Sequence, residues 1–464
     1  MIDLFLTAFV FALFAAGMRK PFVFVQAYVY IDVLAPQKIS WFLLEKIPIS
    51  LIAFGLAFLG WAYADAKNGS RFTFRQMLIA ALLLYCGATT LTADFPEDAL
   101  AKWDWVWKAL VFAVFLPLTL RTRLRIEASA LVMTLTAGAI IIPAGIKTLA
   151  SGGGYGSLHL LVNDNVGLYE GSILSTVGIA IIPLALWLAR HGTIFAPDRR
   201  VTLFAWGLCF ACALMPVGTE ARTGLVCLAI LIGLSLRDIK RRFLYMGLIG
   251  AAGLLAVPFL PASFTQRMET IGDHKADQSA STRLAVWQWT IEFAKDRPLG
   301  GGFDAYRQNK LSVDLVDTAA SGNTTAIETT TIEEKARAYH SSYFEMLGEQ
   351  GYPGLALWLL LHILGVWQME RIYRRHRRDP DPDAAWIAPL ALALQRSQIV
   401  YLVGSAFVGI AFQPFCYMIV ALQCGLWSWV RRHDSRPAPV SAPLARRRAR
   451  ADATARPAGV EGVA

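Results

Sequence analysis

Charge is what this chain of 464 residues has little of: 17% of its residues are Asp, Glu, Lys or Arg, against about 25% in a soluble domain. That deficit excludes an ordinary water-soluble globule. Cysteine is missing from the places where it would build a scaffold. All six (Cys86, Cys209, Cys212, Cys227, Cys416, Cys424) fall in apolar stretches, and the long polar segment Pro261–Tyr352 has none. A disulfide framework or a zinc site is thereby excluded from that segment. Cys209 and Cys212 form a CxxC, but inside an apolar helix, where buried small residues are the expected role. Met1–Gly17 has no basic residue before its apolar stretch, so it reads as a retained membrane helix and not a cleaved signal. The glycine-rich Gly152-Gly153-Gly154-Tyr155-Gly156 lacks the Lys-Ser/Thr of a phosphate loop, and no strand precedes it.

Long apolar runs are abundant, among them Ile47–Ala64, Met77–Ala93, Ala128–Leu149, Ile173–Ala189, Tyr245–Leu260 and Pro353–Gln368. Each approaches the ~17–25 residues needed to cross the hydrocarbon core. The formal net charge of +10 is explained by where the basic residues lie. Well over half of the 44 Lys and Arg cluster at alternate helix ends, such as Arg121, Arg123 and Arg125, or Arg371 to Arg378. The intervening connections are poorer in basic residues or acidic, as at Asp94, Glu97, Asp98 and Asp104. This is the positive-inside pattern, and it requires no nucleic acid. The expectation is an all-α, polytopic transmembrane helical bundle of about 13 spans, near 2–17, 21–35, 47–64, 76–92, 105–120, 128–149, 171–189, 201–217, 223–236, 243–260, 353–369, 389–411 and 414–430. The N-terminus is placed outside and the C-terminus in the cytoplasm.

One segment breaks the rhythm. Pro261–Tyr352 falls on the outer face by the charge rule, as one large, partly helical periplasmic loop. Ser281 to Arg297 reads as an amphipathic helix with Leu284, Trp287, Ile291 and Ala294 at helical spacing, ended by Pro298. Arg283 and Trp287, four apart, share a face. Pro298-Leu299-Gly300-Gly301-Gly302-Phe303 is a tight turn. Ser312–Glu334, rich in Thr, Ser, Ala and acids, is expected to be a mobile flap. His340 to Gln350 is helical again; Gly351 suits a C-cap and Pro353 starts the next span. The Arg/Pro/Ala-rich tail from Arg431 reads as disordered and held near the anionic inner leaflet.

Three segments resemble the O-antigen ligase and Wzy-type polymerase superfamily. Thr219-Glu220-Ala221-Arg222-Thr223-Gly224-Leu225 is similar to its "S-R-T/G-G" motif. Ser281-Thr282-Arg283 with Trp287, then Pro298 to Phe303, resembles "R-x-x-x-W … P-L-x-G-x-G-x-x-x-F". His340-Ser341-Ser342-Tyr343-Phe344-Glu345 running to Gly354 resembles "H-N-x-Y-L … E-x-G-x-x-G". Ser341 stands where the family has Asn, Ala221 where it has Ser, and Gly301 in a variable position. The N-terminal part, with Ala35-Pro36-Gln37-Lys38-Ile39-Ser40-Trp41, resembles the extension of the exosortase-associated putative O-glycosylation ligases. The implied division is a transmembrane N-terminal region 1–126, a ligase-like region 127–430 containing the loop 261–352, and the tail 431–464.

The resemblance implies a membrane glycan transferase in the bacterial inner membrane, with its site facing the periplasm. Its donor would be an undecaprenyl-diphosphate-linked glycan, its acceptor a saccharide, lipid A-core or a protein, and its product lipopolysaccharide or exopolysaccharide. Other polysaccharide-assembly proteins are candidate partners. Arginine suits the diphosphate because its planar fork pairs phosphate oxygens and stays charged; Arg222 and Arg283 are the candidates. Histidine suits proton removal from the acceptor hydroxyl. Of the outer histidines His159, His274 and His340, His340 matches the family position. Trp287, Tyr343 and Glu349 are candidate substrate contacts. Glu345 and Glu349 also read as structural partners of nearby basic residues, and Arg222 and Arg283 as interface or solvated arginines. No cofactor and no metal are expected, because the donor is already activated. The Asp379-Pro380-Asp381-Pro382-Asp383 run reads as a cytoplasmic linker, while Gly152–Gly156 and Asp164-Asn165 read as an outer loop along the acceptor path. A lipid-linked glycan flippase or other polytopic transporter is the alternative; mid-span Arg396 is the main ionisable residue favouring it. A structural scaffold in polysaccharide export is the third reading.

Overall fold

The computed structural model describes residues 2–40, 43–67, 72–151, 167–237, 239–256, 278–321 and 324–434. Helices occupy the described part of every apolar stretch named above. In chain order they are α1 Ile2–Arg19, α2 Phe22–Leu34, the short α3 Pro36–Ile39, α4 Ile49–Ala64, α5 Phe74–Leu91, α6 Pro96–Thr119, α7 Arg123–Ser151, α8 Gly171–His191, α9 Arg199–Gly218, α10 Arg222–Leu236 and α11 Arg242–Ala256. The polar segment contributes α12 Gln278–Asp296 and the strands β1 Lys310–Ser321 and β2 Thr324–Lys335. The bundle closes with α13 Ser342–His376, α14 Ile387–Gly404 and α15 Pro414–Asp434. Six described helical stretches are long and apolar enough to cross a membrane: Phe74–Leu91, Arg123–Ala150, Gly171–His191, Arg199–Gly218, Ser342–His376 and Pro382–Gly404. Shorter apolar helices such as Ile49–Ala64 and Arg222–Leu236 accompany them.

Local chemistry sets the helix ends. Thr73 and Gln76 form a capping box at the start of α5, satisfying two otherwise orphaned backbone donors. The Glu170 carboxylate caps α8 through the Ile173 amide at 2.7 Å. Pro96 with Glu97 and Asp98 starts α6, nine residues before the expected span, because proline at the first position and acids in the first turn both favour a helix there. Helix α8 lies at the centre, packed by α7, α9, α10 and α14, and its apolar residues run all round it, as a fully enclosed helix requires. By contrast α9 turns Leu203, Phe204, Trp206 and Phe210 outward, which suits lipid and not water.

Three expectations are corrected. The stretch 312–334, read as a mobile flap, forms an antiparallel hairpin in which Lys310 pairs with Lys335 and Ser321 with Thr324. Its threonines and branched residues are strand formers, and only Gly322 and Asn323 separate the two runs. The span near 389–411 stops at Gly404, and 405–413 is irregular. On α12 the buried face is Thr282, Val286, Thr290 and Ala294, while Leu284 and Ile291 are exposed. Small and branched side chains let α12 sit close against its neighbours, so the largest apolar residues are not the ones facing inward. Arg75, in the first turn of α5, is completely enclosed. Its guanidinium donates to the Leu361 carbonyl at 3.1 Å and to Gln423 Oε1 at 2.9 Å. Gln423 donates on to Gln398 at 2.8 Å, and Gln398 lies 2.9 Å from His362 Nδ1. All six cysteines are free and buried.

Candidate functional site

The three motif segments are built around a glycine turn. The amide of Gly301 donates to the Gly348 carbonyl at 3.0 Å and that of Gly302 to the Glu349 carbonyl at 2.9 Å. On its other side, the Asp94 amide donates to the Gly301 carbonyl at 2.9 Å. Two side chains add to this seam: Tyr85 donates to the Leu299 carbonyl at 3.0 Å, and Thr89 to Gln350 Oε1 at 2.7 Å. The turn therefore clamps the end of α5 to the start of α13. Gly300 and Gly302 have φ of 87° and 79°; a Cβ at Gly302 would lie 2.4 Å from the Ala93 Cβ. Only glycine meets both the backbone angle and the close approach. Inside α13 the backbone breaks at Gly351 (φ 62°, ψ −166°), which separates the motif-bearing first turns from the long apolar remainder.

Helix α12 brings Arg283 and Trp287 to one side, as their spacing predicts. The Trp287 indole donates to the Tyr339 carbonyl at 2.8 Å, and its ring stacks on Phe344 with centroids 4.9 Å apart. His340 follows Tyr339 in a left-handed conformation, φ 49°, uncommon outside glycine. Its ring stays accessible to solvent, yet the protein around it withdraws hydration from the protonated form. That partial burial, then the charges of Arg283 and Arg337, holds its pKa below the ordinary histidine value. The imidazole is thus kept neutral near pH 7, the form a proton acceptor needs. Glu220, Asp304 and Ala336 are also left-handed. With His340 they make four of the five such non-glycine residues among the described ones, all within or beside the motif segments. Backbone strain of this kind gathers at functional sites.

Beside the glycine turn lies an ion cluster in which Glu345 and Glu349 have the basic partner expected of them, a lysine the sequence reading did not name. Lys102 Nζ sits 2.7 Å from Glu345, 2.8 Å from Glu349 and 4.0 Å from Asp304. Glu349 is fully buried and also accepts from the Asp304 amide at 3.0 Å, so its carboxylate is engaged within the protein. Glu345 accepts from the Ala411 amide at 3.1 Å, and the Ser342 hydroxyl bonds the Val408 carbonyl at 3.0 Å and the Ile410 amide at 2.9 Å. The irregular 405–413 stretch is fixed to α13 in this way. Burial raises the Asp304 pKa above the usual carboxylate value, with Lys102 and Arg307 opposing. Tyr339 is raised further, by burial and then by the nearby carboxylates. The one signal that could have found Lys102 was a lone lysine among acids one helical turn ahead of an apolar run.

The remaining predicted residues fall as follows. Arg222 is the first residue of α10, half-buried, next to the buried Thr219, whose hydroxyl lies 2.8 Å from that of Ser175. Tyr343 donates to the Leu402 carbonyl at 3.1 Å and packs edge-on to Trp358. His159, His274, Gly152–Gly156, Asp164 and Asn165 lie outside the described residues. At the other sequence landmark, Asp379 bonds His376 and Asp381 caps a short turn. Arg396 donates to the Leu234 carbonyl at 3.0 Å. Among the described residues no three His, Cys, Asp or Glu side chains are grouped to hold a metal ion.

Residues 207–359, which contain Arg222, Arg283, the glycine turn and His340, match the model of the O-antigen ligase family. The chain carries an O-antigen ligase domain. With its six long apolar helices, it is a multi-pass membrane protein of the glycan-transferring ligase and polymerase kind. Residues 1–193 match a family of unknown function (DUF5935). No curated protein matches the chain.

Proposed function

We propose that this O-antigen ligase-type protein moves a saccharide from a polyprenyl diphosphate onto an acceptor hydroxyl. The acceptor oxygen attacks the anomeric carbon, the bond from that carbon to the phosphate oxygen breaks, and the lipid diphosphate departs. His340 takes the hydroxyl proton. Arg222 and Arg283 hold the diphosphate as negative charge grows on it, through bidentate pairing that an ammonium does not reproduce. Trp287 positions the helix that carries Arg283, and Tyr343 and Glu349 support the start of α13. About thirteen helices cross the bacterial inner membrane in this reading, with the site on the periplasmic side. The division 1–126, 127–430 and 431–464 separates an N-terminal region, the transferase region and a basic tail.

The observation that supports this best is geometric: Trp287, one turn after Arg283 on α12, bonds the carbonyl just before His340 and stacks on Phe344, so the two motif segments meet there. The Arg283 charge also acts on the His340 imidazole. A cation and a neutral base on adjoining segments are what the two halves of the reaction require. The test is transfer by the purified protein from a polyprenyl-diphosphate saccharide, without nucleotide and with chelator present. Wild type should transfer, while Arg283→Lys and His340→Ala should not transfer at comparable rates. Full activity in both variants, or an absolute need for a divalent ion, would sink the mechanism. Deleting the gene separates the acceptors. Loss of long chains with single repeats kept indicates a polymerase; full lipid-linked polymer that never reaches its acceptor indicates a ligase.

A further inference from the structure

A cavity of about 450 Å³ opens beside the ion cluster. Asp98, Lys102 and Trp105 of α6 line it from one side, and Asp304, Arg307 and Glu345 from the other. Its floor is the irregular backbone from Gly409 to Gln413, and non-helical backbone in a membrane bundle is tolerated where it borders such a cavity. Arg307 and Asp98 meet across the mouth at 3.0 Å. The first three residues belong to the segment matching the family of unknown function, the second three to the O-antigen ligase domain. Neither segment makes the cavity alone.

We infer that this cavity is a saccharide-binding subsite, and that the N-terminal region sets sugar specificity through Asp98 and Trp105. The inference rests on the transfer reading above. Three carboxylates against two cations line the wall, so a neutral sugar suits it better than an anionic diphosphate. Sugar hydroxyls both donate and accept. Carboxylates accept from them, and the exposed Arg307 guanidinium donates to them. Trp105, 42% exposed, offers an indole face for the apolar side of a pyranose ring. The volume lies within the range of ligand pockets, ~300–1,000 Å³. Tyr339, whose ring packs against Tyr306 at 5.7 Å and feels the Asp304 and Glu345 charges, directly precedes His340. The turn that lines the cavity is thus in ring contact with the residue just before the base.

The experiment uses the full-length protein in nanodiscs and, as probe, the free oligosaccharide released by mild acid from the source cells' lipid-linked glycans. Binding is read by saturation-transfer NMR, and transfer is assayed in parallel. Wild type and His340→Ala should bind alike. Trp105→Ala should weaken binding about 10- to 100-fold, the scale of a tryptophan anchor, with Trp105→Phe restoring part of it. Asp98→Asn should change the ranking of oligosaccharides and raise KM more than it lowers kcat. Both positions are partly exposed, so these variants keep the fold. Unchanged binding and KM in Trp105→Ala and Asp98→Asn, or no binding by wild type, would overturn the subsite while leaving the transferase intact. Binding without any transfer by wild type would instead overturn the transfer reading and leave the subsite standing.

Discussion

His340 and Arg283 make a pH argument at the level of single residues. Because the His340 pKa is lowered, the neutral base persists below the ordinary value of about 6.5. The acid limb of the kcat/KM profile should therefore fall below that pH. Replacing Arg283 with Gln removes the second-largest cause of the lowering, so the limb should move to higher pH while burial keeps part of the shift. The same sign holds for stability: the contribution is complete above the unfolded value and is lost as pH falls through the folded one. His340→Gln should cost about 10²–10⁴-fold in rate. An unmoved limb in Arg283→Gln would separate the two residues. Lys102 gives a stability prediction. Lys102→Met leaves Glu345 and Glu349 buried without their cation, at about 3–5 kcal/mol, and a Glu349→Gln partner change should recover much of it. Thermal unfolding in detergent measures both. Arg283, Trp287 and His340 were legible because short motifs mark them. Lys102 was not, because its partners lie 243 and 247 residues away and no local pattern joins them.

At the level of elements, the glycine turn makes the sharpest demand. Gly302→Ala places a Cβ 2.4 Å from Ala93 at a φ of 79°, so it should destabilise by about 1–3 kcal/mol from strain alone. Gly207→Ala has open space around it and should be neutral or mildly stabilising. Comparable thermal midpoints for the two variants would mean the turn is not a clamp. Helix existence was readable from apolar runs of sufficient length, and the breaks at Pro298 and Gly351 from their residue types. The hairpin was missed because its composition, Thr, Ser, Ala and acids, was weighed as polarity. Its branched residues and the Gly322-Asn323 pair between two runs were the strand signal. The inner face of α12 was misassigned because periodicity favours the largest apolar side chains. Close packing there selected Thr282, Val286 and Thr290 beside the expected Ala294.

For the whole molecule the question is sidedness. The acidic connection at Asp94 is bonded to the glycine turn, so the 92–98 connection and the segment from α12 to α13 share one end of the bundle. The charge rule assigns that end to the outside. A cysteine at Ser321 should react with a membrane-impermeant thiol reagent in cells with a permeabilised outer membrane, and one at Ser441 should not. The native cysteines are all buried, so background labelling should be low. Reversed labelling would invert the orientation. Which helices pack on which was beyond the sequence, since apolar faces alone do not specify partners; the central place of α8 emerges only from the assembled bundle.

The ion cluster also imposes an order of events on biosynthesis. Lys102 emerges from the ribosome 243 residues before Glu345. At about 5–20 residues per second, translation separates them by roughly 10–50 s. Throughout that interval α6 carries a lysine whose permanent partners have not been made. The floor of the cavity, reaching Gln413, arrives later still. The cavity is therefore among the last features to be completed, and whatever it binds must wait until the final helices are in place.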